Sequence, residues 1–253
     1  MRKYPHGLDE EILPRDLEIE QQKVDEDKPK IKKAIADKRA IFVKALGEEY
    51  YSVGAYGYAL DKSPTEIKEP LSKALEYHFS AFRMGVVTDV YEFITLLSLA
   101  VVLGESEIAK SAAGAKRERY THPDIEAEEI VFTVAELMSA FVRKDETAIG
   151  KILAANNPNE IDTKKIYRYD RMVFFPLLRP MAAIHQKDAD GFAAAMRTRQ
   201  EEFVKFYARS DRKNIPEALI DMPGLAVAAF AKQGGVDYSD TSVYRPYELI
   251  VRN

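Results

Sequence analysis

An all-α fold, a multi-helix bundle closed by a buried Ala-rich helix and an extended C-terminal strap, is what this sequence predicts. Three observations carry that prediction. Apolar residues recur at three- and four-residue spacing through most of the 253 residues, capping signatures open several of these runs, and no stretch shows the clean alternation of a strand.

The first 27 residues are rich in Glu, Asp and Lys and are interrupted by Pro5, Gly7 and Pro14, which predicts an acidic arm that is loose or holds one short helix. From Pro29, a residue suited to a first helical turn, Ile31, Ala34, Ile35, Phe42, Ala45 and Leu46 fall on one stripe. Gly47 is a place for this helix to bend or stop, and small residues in GEEYYSVGAYGYAL allow a second helix to come close. Ser63-Pro64 with Glu66 is a capping signature for a helix to about Met84, whose apolar face holds Ile67, Leu71, Ala74, Leu75, His78, Phe79 and Phe82.

Thr88 or Asp89 caps the next helix, whose run from Phe93 to Leu103 is apolar all round and therefore central, ending at Gly104. A short helix over 106–113 stops at Gly114, and AKRERYTHPD reads as a loop. Glu126 to Val142 is helical with a stripe of Ile130, Val131, Val134, Leu137, Met138 and Phe141, and a short helix over 146–155 ends in the turn cluster NNPNE. Lys164 to His185 contains Pro176 and Pro180 and is two helices or a kinked one. Asp188 to Arg209 reads as a surface helix, with Phe192, Met196, Phe203 and Phe206 opposed to Arg197, Arg199, Glu201, Glu202 and Lys205. Residues 28–253 form one helical domain on this reading, with a sub-boundary near residue 144 left open.

Composition narrows the function classes. The absence of cysteine removes disulfide scaffolds, thiolate metal sites and cysteine nucleophiles. A net charge of −4 argues against a general nucleic-acid binder. Two early basic residues are followed by an acidic stretch with no apolar run, so no export signal is expected and the cytoplasm is the expected compartment. The run from Phe93 to Leu103 falls far short of the roughly 20 residues that cross a bilayer.

Motifs for catalysis are missing. His6, His78, His122 and His185 make no metal-binding spacing, and no phosphate-cradling glycine loop or nucleophile elbow occurs, so no metal and no cofactor is expected. His78 reads as a hydrogen-bonded packing residue, Gly54/Gly57 as close helix packing and Gly234/Gly235 as a helix stop. Lys116, Arg117, Arg119 and Tyr120 form a compact basic cluster that a solvated loop explains. Clustered acids at Glu126, Glu128 and Glu129, then Asp145 and Glu146, then Glu201 and Glu202, fit solvated faces and helix N-termini. A carboxylate pair contributed by different helices is left open.

The C-terminal region is the most distinctive. Residues 221–235 read as a capped helix, apolar on every side from Leu225 to Ala231, followed by a polar link and a strap in which Tyr244, Pro246, Tyr247, Leu249 and Ile250 pack back on the bundle. This order, with Asp221 and Pro223 at the helix start, Gly235 at its stop and Tyr244-x-Pro246-x-x-Leu249 beyond, resembles helical immunity proteins of bacterial polymorphic-toxin systems. Two groups are similar: the immunity partners of polymorphic nuclease effectors and the immunity protein 49 family. EEYYSVGAYGYALDKSPTEIKEPLSKALEY and YEFITLLSLAVVLGES resemble consecutive helices of the first group, whose Tyr-Trp pair is replaced here by Ile220-Asp221-Met222-Pro223.

The resemblance implies a non-enzymatic protein that binds a cognate toxin domain stoichiometrically and occludes its active site, most simply that of a cytosol-acting nuclease. It implies no direct contact with nucleic acid or membrane and leaves homodimerisation open. An acidic toxin-binding face is expected to oppose a basic substrate cleft, with Glu126, Glu128, Glu129, Asp145 and Glu146 as contacts, brought together if the link at Lys144 reverses the chain. Two other classes stay open: a helical adaptor that binds a peptide, and an all-α hydrolase with carboxylates converging in a deep cleft.

Overall fold

The computed structural model describes residues 2–86, 88–238 and 242–250, apart from the side chains of Ala36 and Asp37. Among the described residues there are eleven α-helices and no strand. One continuous hydrophobic core runs from Tyr4 to Ile250, so both chain ends contribute to it.

The arm holds more structure than its composition announces. Helix α1 (Leu13–Lys33) buries Leu13, Leu17 and Val24 against α2 (Ala36–Ala59). Its polar residues pair at helical spacing, with Lys23 Nζ 2.7 Å from Glu20 and Lys30 Nζ 2.5 Å from Asp27. Pro29 lies inside this helix and not at the start of the next one. The expected stripe from Pro29 to Leu46 is divided at Ala34, whose extended backbone ends α1. Three lysines in the last turn favour that stop by facing the negative end of the helix dipole.

Helix α2 continues through Gly47, which is there for a neighbour and not for a bend. A Cβ on Gly47 would sit 3.0 Å from the His78 ring, and one on Gly54 would sit 2.7 Å from the Leu71 side chain. These glycines let α3 (Pro64–Arg83) approach α2 closely, whereas a Cβ on Gly57 would meet only the Lys62 side chain, at an ordinary contact distance of 3.7 Å. Helix α3 opens on the Ser63/Glu66 capping box, with Ser63 N–H donating to Glu66 Oε2 at 3.0 Å.

Helix α4 (Val90–Leu103) is central. From Phe93 onward every residue but Thr95 is buried, Asp89 accepts the Glu92 N–H at 2.8 Å as N-cap, and Gly104 takes the left-handed C-cap at φ 76°. Helices α3, α5 (Ser106–Ala113), α6 (Glu129–Arg143) and α11 (Met222–Gln233) surround it. Helix α6 begins at Glu129 and not at Glu126, because the preceding backbone is held elsewhere: Glu128 N–H donates to Asp170 Oδ2 at 3.4 Å, and the Glu128 carboxylate accepts from Tyr167 N–H at 3.3 Å.

After α7 (Glu146–Ala155), the proline-containing stretch resolves into a π turn over Asp170–Phe174, a 3-10 turn over Phe175–Leu177 and α8 (Leu178–Gln186). Pro176 and Pro180 fall where a helical turn starts, so their missing N–H groups cost little. Helix α9 (Ala189–Tyr207), the one-turn α10 (Pro216–Leu219) and α11 complete the bundle. Nearly all of α11 is buried, as its Ala-rich sequence requires, and Gly235 follows it at φ 75°. The strap has one 3-10 turn, Tyr247–Leu249, and buries Tyr244, Pro246, Leu249 and Ile250; residues 239–241 of the polar link and Val251 lie outside the described residues.

Helix α9 departs from the expected surface helix. Arg199 is fully buried, one helical repeat from Met196 and Phe203 on the apolar stripe. Its Nε donates to Asp221 Oδ2 at 2.9 Å, its Nη2 to Asp221 Oδ1 and its Nη1 to the Val173 carbonyl. Arg245 of the strap lies on the other side, with Nη1 3.5 Å from Asp221 Oδ2. Asp221 thus caps α11, by accepting the Gly224 N–H at 2.9 Å, and neutralises buried cations on two other segments.

Candidate functional site

The five acids expected to form one toxin-contact face are not brought together. Helix α6 has 15 residues and separates Glu126, Glu128 and Glu129 at its start from Asp145 and Glu146 beyond its end by about 20 Å. Lys144 does reverse the chain, in the left-handed conformation at φ 55°, but it does so at the far end of that helix. Most of these acids also have intramolecular roles. Glu129 is held by both Nη groups of Arg117 at 2.7 and 2.6 Å, Asp145 caps α7 by accepting the Ala148 N–H at 2.9 Å, and Glu146 lies 3.1 Å from His185 Nδ1. Glu126 is exposed and has no side-chain partner among the described residues.

The basic cluster is not a solvated loop either. Residues Arg117–Tyr120 form a 3-10 turn, the Arg117 guanidinium lies 3.9 Å from the Phe132 ring centroid, and Arg119 Nη2 donates to the Phe82 carbonyl at 2.5 Å. Tyr120 is buried with its ring stacked 4.1 Å from that of Phe93. The segment clasps α3, α4 and α6, and its charges serve packing.

Carboxylates do converge elsewhere. A cleft of about 540 Å³ opens where α2, α3, α4, α9 and the 216–223 segment meet. Its chemistry comes from Glu48 and Glu49 on α2, Glu92 on α4, Glu217 on α10, and the phenols Tyr51, Tyr169 and Tyr207. Glu92 is neutralised by Lys44, whose Nζ lies 2.5 Å from Oε1. Glu48, Glu49 and Glu217 have no ion pair at salt-bridge distance among the described residues. Desolvation raises the pKa of all four carboxyls, with Lys44 working against the shift at Glu48 and Glu92.

Tyr51 is 7% exposed, and its hydroxyl has no hydrogen-bond partner among the described residues. Desolvation pushes its pKa well up, and the negative groups that add to the shift are Glu217, Asp221 and Tyr169, all lining the cleft. The Tyr169 and Tyr207 hydroxyls lie beside one another at the same wall. His78 is half-buried against Gly47 and packs as expected, but makes no hydrogen bond among the described residues. Desolvation, with a smaller push from Lys44, lowers its pKa to about 4 and keeps it neutral.

Glu49 gives a measurable consequence. Its Oε2 is buried without a hydrogen bond, and desolvation, reinforced by Asp27 and Glu20 against Lys23 and Lys30, raises its pKa to about 7. A carboxyl whose folded pKa exceeds its unfolded one contributes stability that is complete below the unfolded value and is lost as pH rises through the folded one. Glu49→Gln is therefore expected to stabilise the chain at pH 8 by about 1 kcal/mol, after discounting for partial exposure, and to have little effect at pH 4. Urea unfolding at the two pH values checks this; equal effects at both would contradict it.

The arrangement is a concave, acidic and phenol-lined surface, and comparison with known families says what kind of protein carries it. The model of the immunity protein 49 family matches residues 32–249. The chain belongs to the immunity protein 49 family. No curated protein and no solved structure matches it. An immunity role, with a toxin protein as partner, comes with that family. The immunity protein 49 match spans every lining segment of the cleft except α1. Among the described residues no helix is long and apolar enough to cross a membrane, and no group of three or more His, Asp or Glu side chains is placed to hold a metal ion.

Proposed function

We propose that this immunity protein binds a cytosol-acting nuclease toxin in a one-to-one complex and blocks it by covering the active site, as an inhibitor and not as an enzyme. The observation that carries this reading is the cleft, where Glu48 and Glu217 present carboxyl groups that have no ion pair among the described residues. A nuclease must attract phosphates and so surrounds its reacting groups with Lys and Arg. An inhibitor of opposite potential gains both association rate and discrimination between partners.

The test mixes the purified chain with the toxin domain encoded beside its gene. The expected result is a one-to-one complex, loss of nucleic-acid cleavage in proportion to complex formed, and association that slows as salt is raised. A complex that leaves cleavage intact would overturn the reading, as would toxicity confined to a periplasm-directed form of the toxin.

The same converging carboxylates favour one second reading, a hydrolase. That reading predicts turnover of a glycoside substrate, abolished in Glu217→Gln, by a chain that inhibits no toxin.

A further inference from the structure

We propose that the cleft between α2, α4 and α10 is a socket for one cationic side chain, an arginine, projected from the bound toxin. This rests on the reading that the chain binds a toxin directly.

The argument starts from what the cleft lacks. The cations that line it are already engaged: Lys23 with Glu20 at 2.7 Å, and Arg199 with Asp221 at 2.9 Å. Lys44, beside the cleft, pairs with Glu92 at 2.5 Å. Glu48 and Glu217 have no such partner among the described residues and are exposed, so a ligand can reach them. Desolvation holds the pKa of both above the ordinary carboxylate value, a cost that an incoming cation would reverse.

A second observation stands apart from the charges. Tyr51 is 7% exposed and makes no hydrogen bond among the described residues, yet its hydroxyl oxygen is not enclosed and reaches the cleft that Glu217 and Tyr169 also line. A hydroxyl on a side chain packed on most sides can turn only toward the cleft for a partner. It has a lone pair to offer a donor that arrives with the ligand.

Arginine suits these groups better than lysine does. Its planar guanidinium carries five donors in a fixed fork, enough to serve a carboxylate and a phenol oxygen together, and it stacks on aromatic faces such as those of Tyr169 and Phe174 in the same wall. The cleft volume of about 540 Å³ leaves room for the side chain and the partner backbone that carries it.

The test has two arms on the full chain. In the first, N-acetyl-L-arginine amide is titrated against the protein by NMR, with N-acetyl-L-citrulline amide as the neutral isostere. Saturable shifts of the Tyr51 and Tyr169 ring signals are expected with the arginine probe only. They should weaken at least fivefold in Tyr51→Phe and in the Glu48→Gln/Glu217→Gln double variant. No shift, or equal shifts with citrulline, would overturn the socket. In the second arm the toxin is the ligand. The double variant is expected to bind it at least tenfold more weakly with an unchanged circular dichroism spectrum, while charge reversal of Glu126, Glu128, Glu129, Asp145 and Glu146 leaves binding within twofold. Toxin binding by the double variant equal to the parent's would overturn the socket and leave the inhibitor reading standing. A parent chain that binds no toxin would overturn both.

Discussion

Asp221→Ala is expected to destabilise the protein by about 3–5 kcal/mol, because it removes the carboxylate that two buried cations lie against. Arg199 and Arg245 are 0% and 2% exposed, and Asp221 is the carboxylate that lies against both. The same substitution removes the N-cap of α11, worth about 1 kcal/mol by itself. Asp221→Asn separates the two contributions, since an amide oxygen still accepts the Gly224 N–H but carries no charge. Urea unfolding of the two variants should therefore show a large loss for both and a somewhat larger one for Ala. A loss for Ala no greater than that of a missing cap would show that the arginines find other partners.

Removal of the chain from Tyr244 onward should cost about 5 kcal/mol or more and lower the melting temperature sharply. Tyr244, Leu249 and Ile250 are buried, and each large side chain withdrawn from a core costs on the order of 2–4 kcal/mol. The truncation also deletes the Tyr244 carbonyl that accepts the Asp221 N–H at 2.8 Å, so the start of α11 loses a backbone anchor. An unchanged melting temperature would mean that the strap adds nothing to the bundle.

Sequence spacing disclosed the elements whose stability is local. Helices α3 and α4 each announce themselves by a cap three residues ahead of a glutamate and by an apolar stripe or run that needs no knowledge of the rest of the chain. Helix α1 was concealed because only Leu13, Leu17 and Val24 are buried along 21 residues, although their spacing of four and seven marks one helical face. Arg199 was assigned to the polar face by residue type, yet Phe192, Met196, Arg199, Phe203 and Phe206 follow each other at intervals of three and four, and that spacing places it in the core. The acid clusters do not form one face for a related reason. Charges adjacent in sequence are those most readily used by helix caps and nearby arginines, as Asp145 and Glu129 show.

No motif or spacing in the sequence marks the cleft. Glu48, Glu92, Tyr169, Tyr207 and Glu217 are scattered along the chain, and no shared motif marks them as a group. Only the packing of α2, α4 and α9 brings them to one surface. A usable hint was the tyrosine-rich stretch of α2: a phenol on a helix packed from several sides must either find a partner for its hydroxyl or face a solvent-filled recess. Tyr58 does the first, by donating to the Val243 carbonyl at 2.7 Å, and Tyr51 does the second.

The meeting of the arm and the strap has a consequence for synthesis in the cell. Tyr244 O–H donates to His6 Nδ1 at 2.6 Å while His6 Nε2 donates to the Lys213 carbonyl at 2.8 Å, and Tyr4 packs edge-on against Tyr244. Residue 6 is thus fastened by a residue 238 positions further along the chain. A nascent chain cannot close its core until translation has passed residue 250, and a prematurely terminated one leaves the arm, α10 and the start of α11 without their anchor. Formation of the folded core would then wait for synthesis of the strap, with a delay set by translation and by closure of a very long loop.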